Sequence, residues 1–182
     1  MPGIARVIIA FLPMEATVFA LYNSVLFIHI FFGFLYMLSH GASVTVAYRL
    51  RRENGLERIR ALLDLSASSF TLMYLSLLAM VLGGVTLGFL GRWWSTGWLW
   101  TSIAILVLIL VVMGLIASKH FHRVRRAAGL PFLDGYKEHP AVTPASPEEL
   151  HQLLQSGRPQ LITLIGLGGW AVILGLMIFK PF

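Results

Sequence analysis

Four long apolar runs constrain the fold of this chain more than any other feature of its sequence. They cover about residues 18–48, 59–90, 99–118 and 161–179. A helix that crosses the hydrocarbon core of a bilayer needs about 20 mostly apolar residues. Backbone polar groups in lipid must be satisfied within the protein, and continuous apolar runs achieve this as helices. The sequence therefore predicts an all-α fold, an integral membrane four-helix bundle that forms a single membrane domain.

The composition supports a membrane protein and excludes several cofactors. Hydrophobic residues make up 57% of the chain and charged residues only 12%, about half of the roughly 25% that is typical of soluble domains. The chain contains no cysteine. This excludes disulfides, thiolate metal sites, iron–sulfur clusters and covalently attached c-type haem.

The positions of the basic residues predict the orientation of the bundle. Eleven of the fourteen lysines and arginines lie between spans one and two, at the adjoining start of span two, or between spans three and four. By the positive-inside rule, residues 49–58 and the loop 119–158 face the cytoplasm, and both termini face outward. Residues 1–17 are then expected to form an outer interfacial segment. Because the topology explains the net charge of +6, we expect no nucleic-acid partner.

The turn between spans two and three is rich in tryptophan. Residues 91–100 read GRWWSTGWLW and place four tryptophans at the outer end of the two spans. Tryptophan is enriched at membrane–water interfaces, where its amphipathic ring lies at the headgroup level. The pattern favours an aromatic belt, with a ligand-binding aromatic cage as the alternative.

The loop 119–158 contains one helix-start pattern. The residues SPEE at 146–149 combine a capping serine, a proline at the first helical position and a glutamate at the capping-box position. The leucines of LHQLL at 150–154 follow as an apolar stripe. The pattern predicts a short amphipathic helix over 147–156 that lies on the inner membrane surface.

Two histidines lie inside the first span, where ionisable residues are costly and are functional candidates by default. His29 and His40 are separated by eleven residues, about three helical turns, so they share a face at an axial separation of about 16 Å. Gly33, Tyr36 and Ser43 lie on the same face. We therefore expect this stripe to face the interior of the bundle.

These histidines suggest a b-type haem. His120 and His122 lie at the inner end of the third span, and His40 with His120 or His122 is the best pair of iron or other metal ligands in the chain. His29 has no histidine at its depth. Met80 and Met177 are roughly level with it, which leaves histidine–methionine ligation as an alternative. The same histidines are also compatible with a packing role and with a metal or proton pathway.

We rank His40 above His29 because its neighbours Ser39 and Gly41 are small, whereas bulky side chains surround His29. Nearby arginines are candidates to pair with the carboxylates of a bound ligand.

Other chemistry is sparse. Asp64 is the acidic residue placed within a span, and Arg60 one turn earlier predicts a local ion pair. Met73 and Met80 share a helix face, which makes a copper path a minor alternative. We find no paired carboxylates, phosphate loop or nucleophile constellation, and therefore expect no stand-alone enzyme.

The first span also resembles known families. The stretch LFIHIFFGFLYMLSHGAS at 26–43, followed by a basic loop and a Ser/Gly-rich second span, resembles small bacterial integral membrane proteins related to the copper-resistance protein CopD. HemJ-like protoporphyrinogen oxidases have a similar layout. The resemblance covers most of the four-helix core and implies an association with b-type haem or copper, with His29 or His40 as the first-helix ligand. The aromatic–Val-Gly-Gly stretch usual after that histidine reads FFGFLYMLSHG here, so the HemJ-like catalytic assignment is not carried over.

Together these features predict a multi-pass protein of the bacterial cytoplasmic (inner) membrane. We expect it to bind haem b and to act in membrane electron transfer as a subunit of a larger complex, with other membrane subunits and the lipid bilayer as partners. The alternatives are a non-catalytic accessory subunit and a copper-related transport protein.

Overall fold

A computed structural model of the chain describes residues 16–135 and 137–182, and it assigns the first helix from residue 2. The predicted interfacial segment 1–17 lies almost wholly outside the described residues. The helices are α1 (Pro2–Leu50), α2 (Leu56–Leu90), α3 (Gly97–Met113), α4 (Lys119–Ala127), α5 (Pro147–Ser156), α6 (Pro159–Thr163) and α7 (Gly169–Phe179). Two short strands, β1 (Phe132–Asp134) and β2 (Lys137–His139), pair antiparallel.

The predicted all-α architecture is confirmed. Four helical segments are long and apolar enough to cross a membrane, namely Ala16–Leu50, Leu56–Leu90, Gly97–Ala127 and Pro147–Phe179. By length and composition, these segments are the candidate spans of a multi-pass membrane protein. We call the end of the bundle with the 91–96 turn the tryptophan end, and the opposite end, with the 51–55 and 128–146 loops, the basic end.

The long helices pack in two pairs. α1 packs along α2, and α3 packs against α7.

At the basic end, the Glu53 carboxylate accepts hydrogen bonds from the backbone N–H groups of Asn54 and Gly55, both at 3.1 Å. The Gly55 bond, helped by Asn54 and by the nearby charge of Arg58, holds the pKa of Glu53 below its usual value.

The third helical segment is longer than the sequence predicts. Two π-helical turns interrupt the α-helices, at Gly114–Ser118 between α3 and α4 and at Leu164–Gly168 between α6 and α7. The helix then continues through α4 to residue 127, although the charged run from residue 119 suggested a loop. It continues because one face of α4 still has apolar contacts: Val124 is buried in the basic-end core.

A hydrophobic cluster closes the basic end. Residues of α1, α2, α4 and α5 bury their side chains together there: Val46, Leu50, Ile59, Leu63, Val124, Ala128, Leu150 and Leu154. α5 has the complete capping box of Ser146 and Glu149. Its apolar stripe packs against the bundle, where the sequence suggested a membrane surface, because full burial of a leucine is worth about 1.5–3 kcal/mol.

The ion pair predicted between Arg60 and Asp64 is wrong. Arg60 pairs with Glu57 at 2.8 Å, and its Nε donates to the carbonyl of Ala128 at 2.9 Å. Asp64 instead pairs with Arg125 of α4 at 2.9 Å. Because the third helical segment continues past residue 118 as α4, Arg125 reaches α2. The hydrogen bond from Arg60 to the Ala128 carbonyl directs Arg60 away from Asp64.

Candidate functional site

An apolar cavity of about 680 Å³ lies between the helices in the half of the bundle nearest the tryptophan end. Its volume is within the 300–1,000 Å³ range of small-molecule and cofactor sites. Side chains of α1, α2, α3 and α7 form the wall, together with tryptophans of the 91–96 turn. The predicted candidates in this wall are His29, Met80 and Met177.

The imidazole of His29 has a fixed orientation in the wall. Its Nδ1 lies 2.7 Å from the backbone carbonyl oxygen of Met80. A carbonyl only accepts hydrogen bonds, so Nδ1 donates and the lone pair of the neutral ring is on Nε2. Metal-ligating histidines are commonly oriented in this way by a backbone carbonyl. His29 is therefore prepared to act as a ligand through Nε2.

Two glycines of α2 make room for this ring. A Cβ atom built on Gly83 would lie 3.2 Å from the Cβ of His29, and one built on Gly84 would lie 3.1 Å from its Cε1. Both distances are tighter than ordinary van der Waals contact. The glycines thus let α2 approach α1 closely enough for the hydrogen bond to form.

Methionine sulfur is available near His29. Met80 is buried, and its Sδ lies beside Gly33 of α1, 3.6 Å from where a Cβ on that glycine would be. Met177 reaches the same cavity from α7. An imidazole with a thioether is a known ligand pair for haem iron, so the cavity holds the histidine–methionine set that the sequence offered as an alternative.

The tryptophan turn contributes to the cavity as well as to the surface. Trp93, Trp94 and Trp98 line the cavity. Trp100 is 54% exposed and donates its Nε1 hydrogen to the carbonyl of Trp94 at 2.9 Å. Trp100 thus fits the predicted belt, while the other three form the aromatic wall of a site.

Lys180 brings a positive charge to this wall. Its Nζ lies 4.1 Å from the ring centroid of Trp93 and 5.5 Å from that of Trp98. An ammonium group over an aromatic face is stabilised by the ring quadrupole. The cavity therefore combines an apolar interior with a cation at its tryptophan end.

His40 lies deeper in the bundle and is not among the residues described in the cavity wall. Its side chain is buried and stacks on Tyr36, with ring centroids 6.4 Å apart. Its Nε2 lies against Gly166 in the π turn before α7 and has no hydrogen-bond partner among the described residues. Leaving such a buried group unpaired costs about 1–3 kcal/mol.

His120 and His122 have different surroundings. His120 packs against Gly157 at the end of α5, where a Cβ would lie 2.9 Å from its Nε2. His122 accepts a hydrogen bond at its Nδ1 from the backbone N–H of Leu133 at 3.2 Å, which ties α4 to β1. His40 and His120 thus face glycines that are nine residues apart along the chain.

Within the described part of the chain, no group of three or more histidine, cysteine, aspartate or glutamate side chains is placed to hold a metal ion. The donor set of the cavity is instead one imidazole with thioethers.

Trp170 is a site residue that no pattern in the sequence selects. Its ring lies 5.5 Å from that of Tyr36, and its Cζ2 is 3.3 Å from where a Cβ on Gly33 would be. Trp170 thus forms the floor of the cavity against α1. Helical periodicity identifies Gly33 only as a small residue on the interior stripe, and a sequence does not show which side chain of another helix fills such a space.

Comparison with known proteins gives no relative to set beside this site. No family model, no curated protein and no solved structure matches the chain. The function is therefore argued from the residues themselves.

Proposed function

We propose that this protein binds a b-type haem in the cavity at the tryptophan end and serves in membrane electron transfer. One observation carries the proposal: the imidazole of His29 lies in the wall of a 680 Å³ apolar cavity, with Nδ1 held by the Met80 carbonyl. That arrangement leaves Nε2 for an iron ligand bond.

The residues present fit such a group. His29 and Met177 would hold the iron, while the carbonyl of Met80 would hold the imidazole of His29 in place. The chain has no cysteine, so the haem would be held without covalent bonds. When bound, it would supply one-electron redox chemistry.

The chain's own residues would hold and insulate the haem. Tryptophan, leucine and isoleucine side chains give the cavity an apolar lining, and Gly33 and Gly84 add no side chain to its wall. Lys180 would pair with the carboxylates of the macrocycle at the tryptophan end. This assigns the carboxylate-binding role to Lys180 in place of the arginines of the basic loops.

We further propose that the protein works as a subunit of a larger membrane assembly. The described residues outside the helices form only short loops and one small hairpin. An electron donor and acceptor would therefore have to be partner subunits or mobile carriers. The helix faces that carry exposed leucine and phenylalanine, such as Phe27 and Leu164, would contact lipid or those subunits.

Copper is the second candidate ligand. Thioether and imidazole donors suit Cu(I), and His29, Met80 and Met177 line one cavity. The cavity volume favours haem over a copper ion, because a single ion needs room only for itself and the atoms that coordinate it.

The absorption spectrum and metal content of the purified protein distinguish these candidates. Protein from cells supplied with iron and a haem precursor should show a Soret band and about one iron per chain. Copper without a Soret band would support the copper-related function. A purified, folded chain with neither metal would support the accessory-subunit alternative.

A further inference from the structure

Polar side chains continue from the floor of the cavity toward the basic end, and all are buried except Ser43 and Ser69, which are half-buried. On α1 they are Tyr36, Ser39, His40 and Ser43, and on α2 they are Ser76, Ser69 and Ser66. The three serines nearest the basic end form a network: Ser43 Oγ lies 3.0 Å from Ser69 Oγ and 3.4 Å from Ser66 Oγ. We call this row of side chains the polar seam.

Three atoms of the polar seam are buried without a protein partner. They are Ser39 Oγ, His40 Nε2 and Ser76 Oγ. The three residues are only 4%, 9% and 0% exposed. Trp94 Nε1, in the cavity wall, is the fourth such atom in the described part of the chain. The unpaired polar groups are thus concentrated along one line, and buried groups of this kind are commonly satisfied by internal water.

The seam adjoins the cavity. Ser76 lies one helical turn before Met80, whose carbonyl binds His29. Tyr36 contacts Trp170 on the cavity floor and stacks on His40. On α1, His40 lies four residues after Tyr36 and Ser43 three residues after His40, which is about 4.5–6 Å along the helix and within reach of one bridging water.

The seam is closed at the basic end. Beyond Ser43, the next positions on the same face of α1 are Val46 and Leu50, which are buried against Ile59 and Leu63 of α2. These side chains belong to the hydrophobic cluster that closes the basic end. Access to the seam from water must therefore come from the cavity side.

We propose that the polar seam is a hydrated half-channel that gives protons access from the cavity to His40 in the middle of the bundle. Hydroxyl groups and an imidazole both donate and accept hydrogen bonds, so together with bridging waters they form a continuous route for a proton. The half-channel requires only the chain's own residues, and it stands whether or not the cavity holds a haem.

Cysteine reactivity tests this proposal, because the native chain has no cysteine. Ser39→Cys and Ser76→Cys place a thiol in the seam. The adjacent Leu38→Cys and Leu75→Cys are matched controls at the same depth, since these leucines are 59% and 60% exposed on the outer surface of the bundle. Each variant is reconstituted in liposomes and treated with a methanethiosulfonate that carries an ammonium group.

The reagent reacts with the thiolate and not with the thiol. The reaction rate therefore depends on whether water reaches the cysteine and on whether its proton can leave. The seam variants should react at least about tenfold faster than the controls, as expected for thiolate formed in water and not in lipid. Reaction should occur when the reagent is added at the tryptophan end. Arg92→Cys and Lys137→Cys, at exposed positions on opposite ends, mark the two sides.

Seam thiols that react as slowly as the controls, or that react only from the basic end, would overturn the proposal. Size-exclusion profile and helical content identify variants that fail to fold. For that case, water-edited NMR on the unmodified protein with labelled histidine provides a second measurement, with His40→Gln assigning the signal. Magnetisation transfer from water to the His40 ring should be as fast as transfer to the His29 ring. Transfer to His40 that is as slow as transfer to buried leucine methyl groups would contradict the half-channel.

Discussion

The Nδ1 atom of His29 lies 2.7 Å from the carbonyl oxygen of Met80, so a histidine of α1 is held by the backbone of α2. The bond fixes the rotation of the imidazole and its tautomer. It also joins two helices at the wall of the cavity. The orientation of the imidazole, the packing of α1 against α2 and the proposed ligand site thus depend on the same contact.

The space that Gly84 leaves for His29 gives the first prediction. Gly84→Val should displace the imidazole, since even a Cβ at this position would lie 3.1 Å from Cε1, and overpacking of this kind costs about 1–3 kcal/mol. We expect haem content per chain to fall by about tenfold or more, as 1.4 kcal/mol corresponds to a factor of ten. Gly175→Val is the control, because a Cβ there meets nothing within 4 Å. Equal Soret absorbance in the two variants would contradict the role of Gly84.

The cation at the tryptophan end gives the second prediction. Lys180→Met should weaken haem retention by up to about fivefold, because an exposed ion pair is worth about 1 kcal/mol at most. The effect should shrink at high salt. Arg92→Met removes an exposed charge at the same end of the bundle, at a residue that does not line the cavity, and it should leave retention unchanged. Retention measured by competition with apomyoglobin checks both variants, and equal losses would argue against a specific pairing.

The basic-end core gives the third prediction. Leu63 is fully buried among α1, α4 and α5, and Leu63→Ala should destabilise the protein by about 2–5 kcal/mol. Leu65→Ala, two residues on, changes a side chain that is 58% exposed on the bundle surface and should cost far less. Unfolding of both variants in mixed detergent micelles measures the difference, and similar midpoints would show that the cluster is not a core.

The cap of α5 gives the fourth prediction. Ser146 accepts a hydrogen bond at its Oγ from the backbone N–H of Glu149 at 3.2 Å. Ser146→Ala should cost about 1 kcal/mol, the usual value for loss of an N-cap. Ser156→Ala, at the other end of the helix, should have a smaller effect. Amide hydrogen exchange in residues 148–154 should speed up only in the first variant, and unchanged exchange there would rule out a stabilising cap.

Features within one helix could be predicted from the sequence, because local spacing determines them. The apolar runs predicted the four spans, and the residues SPEE at 146–149 predicted the start of α5 with its capping box. Helical periodicity predicted that the stripe of His29, Gly33, Tyr36, His40 and Ser43 faces the interior. Gly33, Tyr36 and His40 are buried, and His29 and Ser43 are half-buried.

Contacts between helices could not be predicted in the same way. The prediction of His40 over His29 rested on the small neighbours Ser39 and Gly41 of α1 and on the depth of His40, nearer to the histidines of the third span. The space around His29 comes instead from Gly83 and Gly84 on α2. Asp64 likewise finds Arg125, a residue more than sixty positions away, and no spacing rule within a helix selects that partner.

The visible absorption spectrum of two histidine variants tests the central claim most directly. His29→Ala and His40→Ala each remove one imidazole from the same helix, but only His29 lines the cavity. Purified from cells with adequate haem supply, the unmodified protein and His40→Ala should both show a Soret band, and His29→Ala should have lost it. A Soret band that survives in His29→Ala and disappears in His40→Ala would contradict the assignment of the site to His29.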